Sequence, residues 1–149
     1  MNPFVSVAIV RIGPVEAPLP RYQTPGSAGM DLHAATSEDI ILAPLGRYLF
    51  PTGLCMAIPE GFEGQVRPRS GLAAASGVTV VNSPGTIDSD YRGEIPVALV
   101  NISQEPVTIA PLQRIAQLVF APVTRAELVI VTELPGTERG AGGHGSTGT

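Results

Sequence analysis

Apolar side chains in this chain come in short runs, and glycine, proline or a polar cluster cuts each run off before a long helix could form. Residues 5–12, 40–42, 47–50, 55–58, 78–81, 95–102, 115–120 and 128–131 are rich in β-branched and aliphatic side chains and read as strands. Several carry a Pro or Gly at one end, where a strand that can no longer donate to its ladder should stop. One short helix is expected over 72–75, opened by Ser70 as N-cap and closed by Gly77. Eight short strands with almost no helix predict an all-β fold of the jelly-roll or barrel type. The pattern alone does not choose between the two.

Residues 135–149 break this pattern. They hold six glycines and no large aliphatic side chain beyond the preceding Leu134, so they cannot pack a core. The division expected is therefore a β domain over 1–134 and a flexible glycine-rich arm over 135–149. That arm also carries Arg139, His144, Ser146 and Thr147, and a glycine-rich backbone with free N–H groups can cradle phosphate.

Composition narrows the class. A length of 149 residues suits one domain, and 44% hydrophobic with 15% charged residues is a globular balance. A net charge of -4 argues against a general nucleic-acid binder, which needs a basic surface to release counterions. All nine cationic side chains are Arg, a bias that coding composition explains better than phosphate chemistry does, so it carries little weight. Cys55 is the sole cysteine, which excludes an internal disulfide, suits a reducing cytoplasm and reads as a small buried hydrophobe. The first residues lack a basic signal-peptide n-region, and no apolar run approaches the roughly 18 residues that span a bilayer.

Four polar clusters fall in loops or at strand ends, where binding and catalysis concentrate. Pro25-Gly26-Ser27-Ala28-Gly29-Met30-Asp31-Leu32 places a carboxylate after two glycines, which serves a simple turn as well as a site. Arg67-Pro68-Arg69-Ser70-Gly71 brings guanidinium, hydroxyl and a helix start together, the donors a phosphate requires. Asn82-Ser83-Pro84-Gly85-Thr86-Ile87-Asp88-Ser89-Asp90-Tyr91-Arg92-Gly93 carries two carboxylates among an amide, a phenol and a guanidinium. In Arg114-Ile115-Ala116-Gln117-Leu118-Val119-Phe120, strand alternation places the Gln117 amide on one face with Ile115 and Val119, where a buried amide needs partners.

Taken in order with Arg139-Gly140-Ala141-Gly142-Gly143-His144-Gly145-Ser146-Thr147-Gly148, these clusters resemble the five ordered motifs of the trimeric dUTP pyrophosphatase (dUTPase) family. The match runs from about Pro25 to Gly148. It implies a jelly-roll-like β-clip subunit, a homotrimer with shared active sites, and hydrolysis of dUTP to dUMP and pyrophosphate. By the resemblance Asp88 is the general base that activates water, Mg²⁺ rides on the phosphates, and Asp31 holds that metal through water. Asn82 meets the uracil edge with the backbone around Thr86 and Ile87, and Tyr91 lies against the deoxyribose and excludes a 2′-hydroxyl. Arg69, Ser70, Gly71 and Gln117 hold the phosphate chain from a second subunit. Arg139, Gly145, Ser146 and Thr147 close over the nucleotide from a third. His144 stands where the family usually has Phe, and an imidazole still stacks on uracil with less area. Asp90 looks peripheral.

Two rival readings carry their own markers. A dCTP deaminase of the same fold needs a carboxylate at the pyrimidine C4 position, for which Glu94 is the candidate. A non-catalytic nucleotide-binding module would lack Asp88 or the arm, and both are present.

Overall fold

In the computed structural model, which describes residues 4–144, the chain forms eleven strands and one short helix. The strands are β1 (Ala8–Arg11), β2 (Met30–His33), β3 (Ile40–Leu42), β4 (Arg47–Phe50), β5 (Leu54–Ala57), β6 (Phe62–Arg67), β7 (Val78–Val80), β8 (Gly85–Ile87), β9 (Val97–Asn101), β10 (Val107–Ile109) and β11 (Arg114–Pro122), with α1 (Ser70–Ser76) between β6 and β7. They assemble into a four-stranded sheet β2-β11-β6-β8, a three-stranded sheet β4-β9-β7, and the pairs β1-β5 and β3-β10, all with antiparallel neighbours. This is an all-β, jelly-roll-like subunit of the β-clip kind.

Alternation explains the sheets. Along β9, Val97, Leu99 and Asn101 are buried and the residues between them are not; β7 and β8 bury every second residue in the same way. One cluster results, in which Leu32, Val66, Ile87 and Leu118 from the larger sheet join Phe50, Val78, Val97 and Leu99 from the other. Its one buried amide is satisfied. Asn101 donates to the carbonyls of Leu42 and Glu105 at 2.9 and 2.7 Å and accepts from the backbone N–H of Ser103 at 2.9 Å.

The chain departs from the sequence pattern at several points. β2, β6, β8 and β10 appear where no long aliphatic run announced them. α1 starts at Ser70 itself; Arg69 is the N-cap and no side chain caps the helix, so Ser70 is its first residue and not its cap. Gly77 closes it at φ 65 with its N–H on the Ala73 carbonyl, the left-handed turn that glycine adopts freely. Cys55 is half-buried, because β5 turns that face outward. Residues 128–131 form no strand: Leu128 is 92% and Ile130 100% exposed, since no edge of this chain lies beside them. Among the described residues no helix is long and apolar enough to cross a membrane.

Candidate active site

β11 sits between β2 and β6, and its register builds a polar row. Gln117 lies opposite Asp31 on one side and Arg67 on the other. A bulge between Arg114 and Ala116 lets Ile115 and Ala116 both face the core, after which Leu118 points inward and Gln117 outward. The expectation that Gln117 shares the core face of Ile115 is therefore corrected: the extra residue flips the alternation. Its amide donates to the Pro68 carbonyl at 2.9 Å and so ties β11 to the turn that leads into α1. Gly29 makes this possible, since a Cβ there would collide with the Gln117 side-chain carbonyl.

Asp31 stands on β2 with Leu32 and Ala34 turned into the core on either side of His33. Its carboxylate accepts from Arg69 Nε at 2.8 Å and from Arg114 at 3.3 Å. Arg69 comes from the β6–α1 turn and Arg114 from the start of β11, so one half-buried anion holds two guanidiniums from distant segments. Because Arg69 spends its Nε on Asp31, both terminal nitrogens remain as donors for an incoming oxyanion. Ser70 and Gly71 lie exposed beside it, and a Cβ on Gly71 would meet nothing within 4 Å, so this side of the turn is open. His33 lies below the usual histidine value, chiefly because burial penalises the imidazolium; Arg114 and Arg69 push the same way and Asp31 opposes them. Arg114 is the member that the motif reading passed over, and its only signal was a cation placed to start the strand that faces β2.

A second cluster lies elsewhere. Thr86 is exposed on β8, the outer strand of its sheet, while the Ile87 side chain is in the core, so Ile87 offers only backbone to a ligand. Asn82 is exposed with its amide against Gly85, where a Cβ would stand 3.2 Å from Nδ2. Asp88 follows β8, exposed, and its carboxylate makes no hydrogen bond among the described residues. It lines a cleft of about 580 Å³ with Thr86, Asp90, Glu60, Glu63 and Arg125. The loop around it is braced: Tyr91 N–H donates to the Asp88 carbonyl at 3.2 Å, and Arg92 reaches the Ser89 carbonyl at 2.6 Å.

The two clusters do not meet within one chain. Gly64 pairs with Ile87, which puts Asp88 beside Glu63, whereas Arg69 lies past Arg67 at the other end of β6. Glu63 to Arg67 alone spans roughly 13 Å of extended strand. In the arm, Arg139 Nε donates to the Gly142 carbonyl at 2.7 Å and His144 is exposed at φ 50. Gly145, Ser146 and Thr147 lie outside the described residues. No group of three or more His, Cys, Asp or Glu that could hold a metal ion occurs among the described residues.

Residues 15–148 match the dUTPase family. A deoxyuridine 5′-triphosphate nucleotidohydrolase of Anaeromyxobacter sp. (strain Fw109-5) is 60% identical over 146 residues, covering 97% of this chain and 98% of that protein. Among solved structures, the Staphylococcus bacteriophage 80alpha dUTPase with dUPNHPP superposes with a TM-score of 0.82 at 25% identity, over 97% of this chain and 99% of the other. The dUTPase of phage phi11 of S. aureus, described with a structural Mg(II) ion, gives a TM-score of 0.79 at 22% identity over 89% and 100%.

The shared carboxylate makes a testable stability coupling. Asp31→Asn and Arg69→Ala should each cost about 1–3 kcal/mol in denaturant unfolding, and together less than the sum by at least about 0.5 kcal/mol. Strict additivity would mean that the contact contributes nothing.

Proposed function

The chain belongs to the dUTPase family and hydrolyses dUTP to dUMP and pyrophosphate, and we propose that it does so in sites shared among the three subunits of a homotrimer. The activity keeps uracil out of DNA and supplies dUMP for thymidylate synthesis. The observation that carries the shared site is the separation along β6 of Asp88 from the Asp31–Arg69 clasp, with each cluster braced in place on its own. One rigid subunit cannot bring both to the same phosphate. A neighbour can. The stretch 128–134 fits this reading, since Leu128, Val129, Ile130 and Leu134 are all more than two-thirds exposed and want an apolar partner that their own chain does not supply.

Within that site β8 and the loops that flank it take the nucleoside. The outer edge of β8 offers backbone groups at Thr86 and Ile87, and Asn82 adds its amide to read the uracil edge. Tyr91 lies against the deoxyribose. Asp88 accepts the proton of the attacking water; an exposed carboxylate with no internal partner is free for that task. From a second subunit, Arg69 presents its free nitrogens to the phosphate chain, with Ser70, Gly71 and Gln117 beside it.

Asp31 suits a water-mediated metal contact. Each oxygen gives one lone pair to a guanidinium and keeps another for a water bound to Mg²⁺, while two adjacent cations disfavour direct ligation. Mg²⁺ on the triphosphate would supply charge neutralisation at the phosphoryl group. The arm, residues 135–149, comes from the third subunit. There Arg139, Gly145, Ser146 and Thr147 grip the γ-phosphate and His144 stacks on uracil, so closure excludes bulk water. Glu94, the marker of the deaminase reading, anchors the turn before β5 through the Gly53 N–H at 2.8 Å, and the dUTPase match favours hydrolysis.

Two outcomes check this assignment. Asp88→Asn should bind dUTP with nearly unchanged KM and lose about 10²–10⁴-fold in kcat, as removal of a general base does; turnover within a few-fold of wild type would reject Asp88. Removal of residues 139–149 should leave thermal stability intact, because none of its described residues joins the core and the sequence of the segment holds no large apolar side chain. It should abolish most turnover. Full activity in the truncated protein would refute the closing arm.

A further inference from the structure

The loop after β8 holds its tyrosine in one place through its own contacts. Tyr91 is 42% exposed, and a phenol on a surface loop would ordinarily exchange rotamers freely. Here its hydroxyl donates to the Glu94 carbonyl at 2.7 Å, which folds the ring back over Gly93. A Cβ on Gly93 would stand 2.5 Å from the Tyr91 hydroxyl oxygen, 2.7 Å from Cζ and 3.0 Å from Cε2. Gly93 does not have the left-handed backbone that would otherwise call for glycine. Its missing side chain is the seat of the ring.

The acceptor is itself anchored. The Glu94 carboxylate accepts the Gly53 N–H at 2.8 Å, its backbone bridges to Cys55, and the next residue, fully buried Ile95, donates to the Leu54 carbonyl at 2.9 Å. Tyr91 is thus tied through Glu94 to the turn between β4 and β5 and to the core. Steric rejection of one extra hydroxyl works only if the wall does not yield; a ring free to swing admits the larger sugar for the small cost of a rotamer change.

We propose that Gly93 and Glu94 are positioning residues that fix the Tyr91 ring plane and thereby set the discrimination between deoxyribo- and ribonucleoside triphosphates. The proposal rests on the reading that Tyr91 lies against the deoxyribose. A methyl group at position 93 meets mainly the far end of a side chain, so Gly93→Ala displaces the ring and spares the fold. Tyr91→Phe removes only the tethering hydroxyl.

The test is kcat/KM for dUTP and for UTP in wild type, Gly93→Ala, Tyr91→Phe and Tyr91→Ala. Gly93→Ala should lower the dUTP/UTP ratio roughly tenfold, with a higher KM for dUTP and gained turnover of UTP, and Tyr91→Phe should lower it by a smaller factor. Should Gly93→Ala fail to fold, Tyr91→Phe decides alone. A ratio that falls in Tyr91→Ala but stays within twofold of wild type in the other two overturns the positioning role and leaves the Tyr91 contact standing. An unchanged ratio in Tyr91→Ala removes that contact and the proposal together.

Discussion

The double register of β11 is the constraint on which the rest depends. Of its nine residues four pair with β2 and six with β6, Gln117 and Leu118 with both, so a single strand aligns the segments that carry Asp31, Arg67 and the turn to Arg69. A slip of one residue would send Leu118 to the surface and Gln117 into the core. It would also pull the Gln117 amide away from the Pro68 carbonyl and separate Arg114 from Asp31. Core packing and the clasp of Asp31 with Arg69 and Arg114 are therefore two consequences of one alignment. The bulge before Ala116 is where that alignment is set.

Asp31 shows how the clasp divides its work. A carboxylate between two guanidiniums cancels repulsion that would otherwise spread Arg69 and Arg114 apart, and it orients Arg69 through Nε. The terminal nitrogens of Arg69 have no partner among the described residues, and an anchored guanidinium with free donors is the preorganisation that charge stabilisation requires. The Asp88 side is built differently. Its brace is the Tyr91 backbone N–H on the Asp88 carbonyl and the Arg92 guanidinium on the Ser89 carbonyl, and its carboxylate has no partner among the described residues. The Asp88 carboxylate is exposed without a partner among the described residues, and the Asp31 carboxylate is paired twice.

Much of this was legible in the sequence, and the exceptions have physical causes. Residues 40–42 and 47–50 are aliphatic and aromatic enough to declare themselves as strands. Met30–His33 and Phe62–Arg67 are not; each mixes charge with apolar residues, and pairing with β11 makes them strands. Gln117 was placed on the wrong face because a bulge is invisible to strict alternation. The stretch 128–131 has the composition of a strand but no partner in its own chain, and composition reports capacity to pair, not the presence of an edge. The motif order brought out Asp88 and Arg69. It could not show that Asp31 binds Arg114 as well, or that Tyr91 is seated on Gly93, because both depend on contacts rather than spacing.

The central claim is that base and phosphate grip come from different chains, and subunit mixing tests it most directly. Asp88→Asn and Arg69→Ala proteins, each nearly inactive alone, are unfolded together in equal amounts and refolded, and activity is measured on the mixed trimers confirmed by light scattering. A shared site pairs an intact Asp88 with an intact Arg69 from a neighbour in about a quarter of sites, so activity should return to about a quarter of wild type. Mixed trimers as inactive as either parent would place both residues in one chain's site and contradict the account.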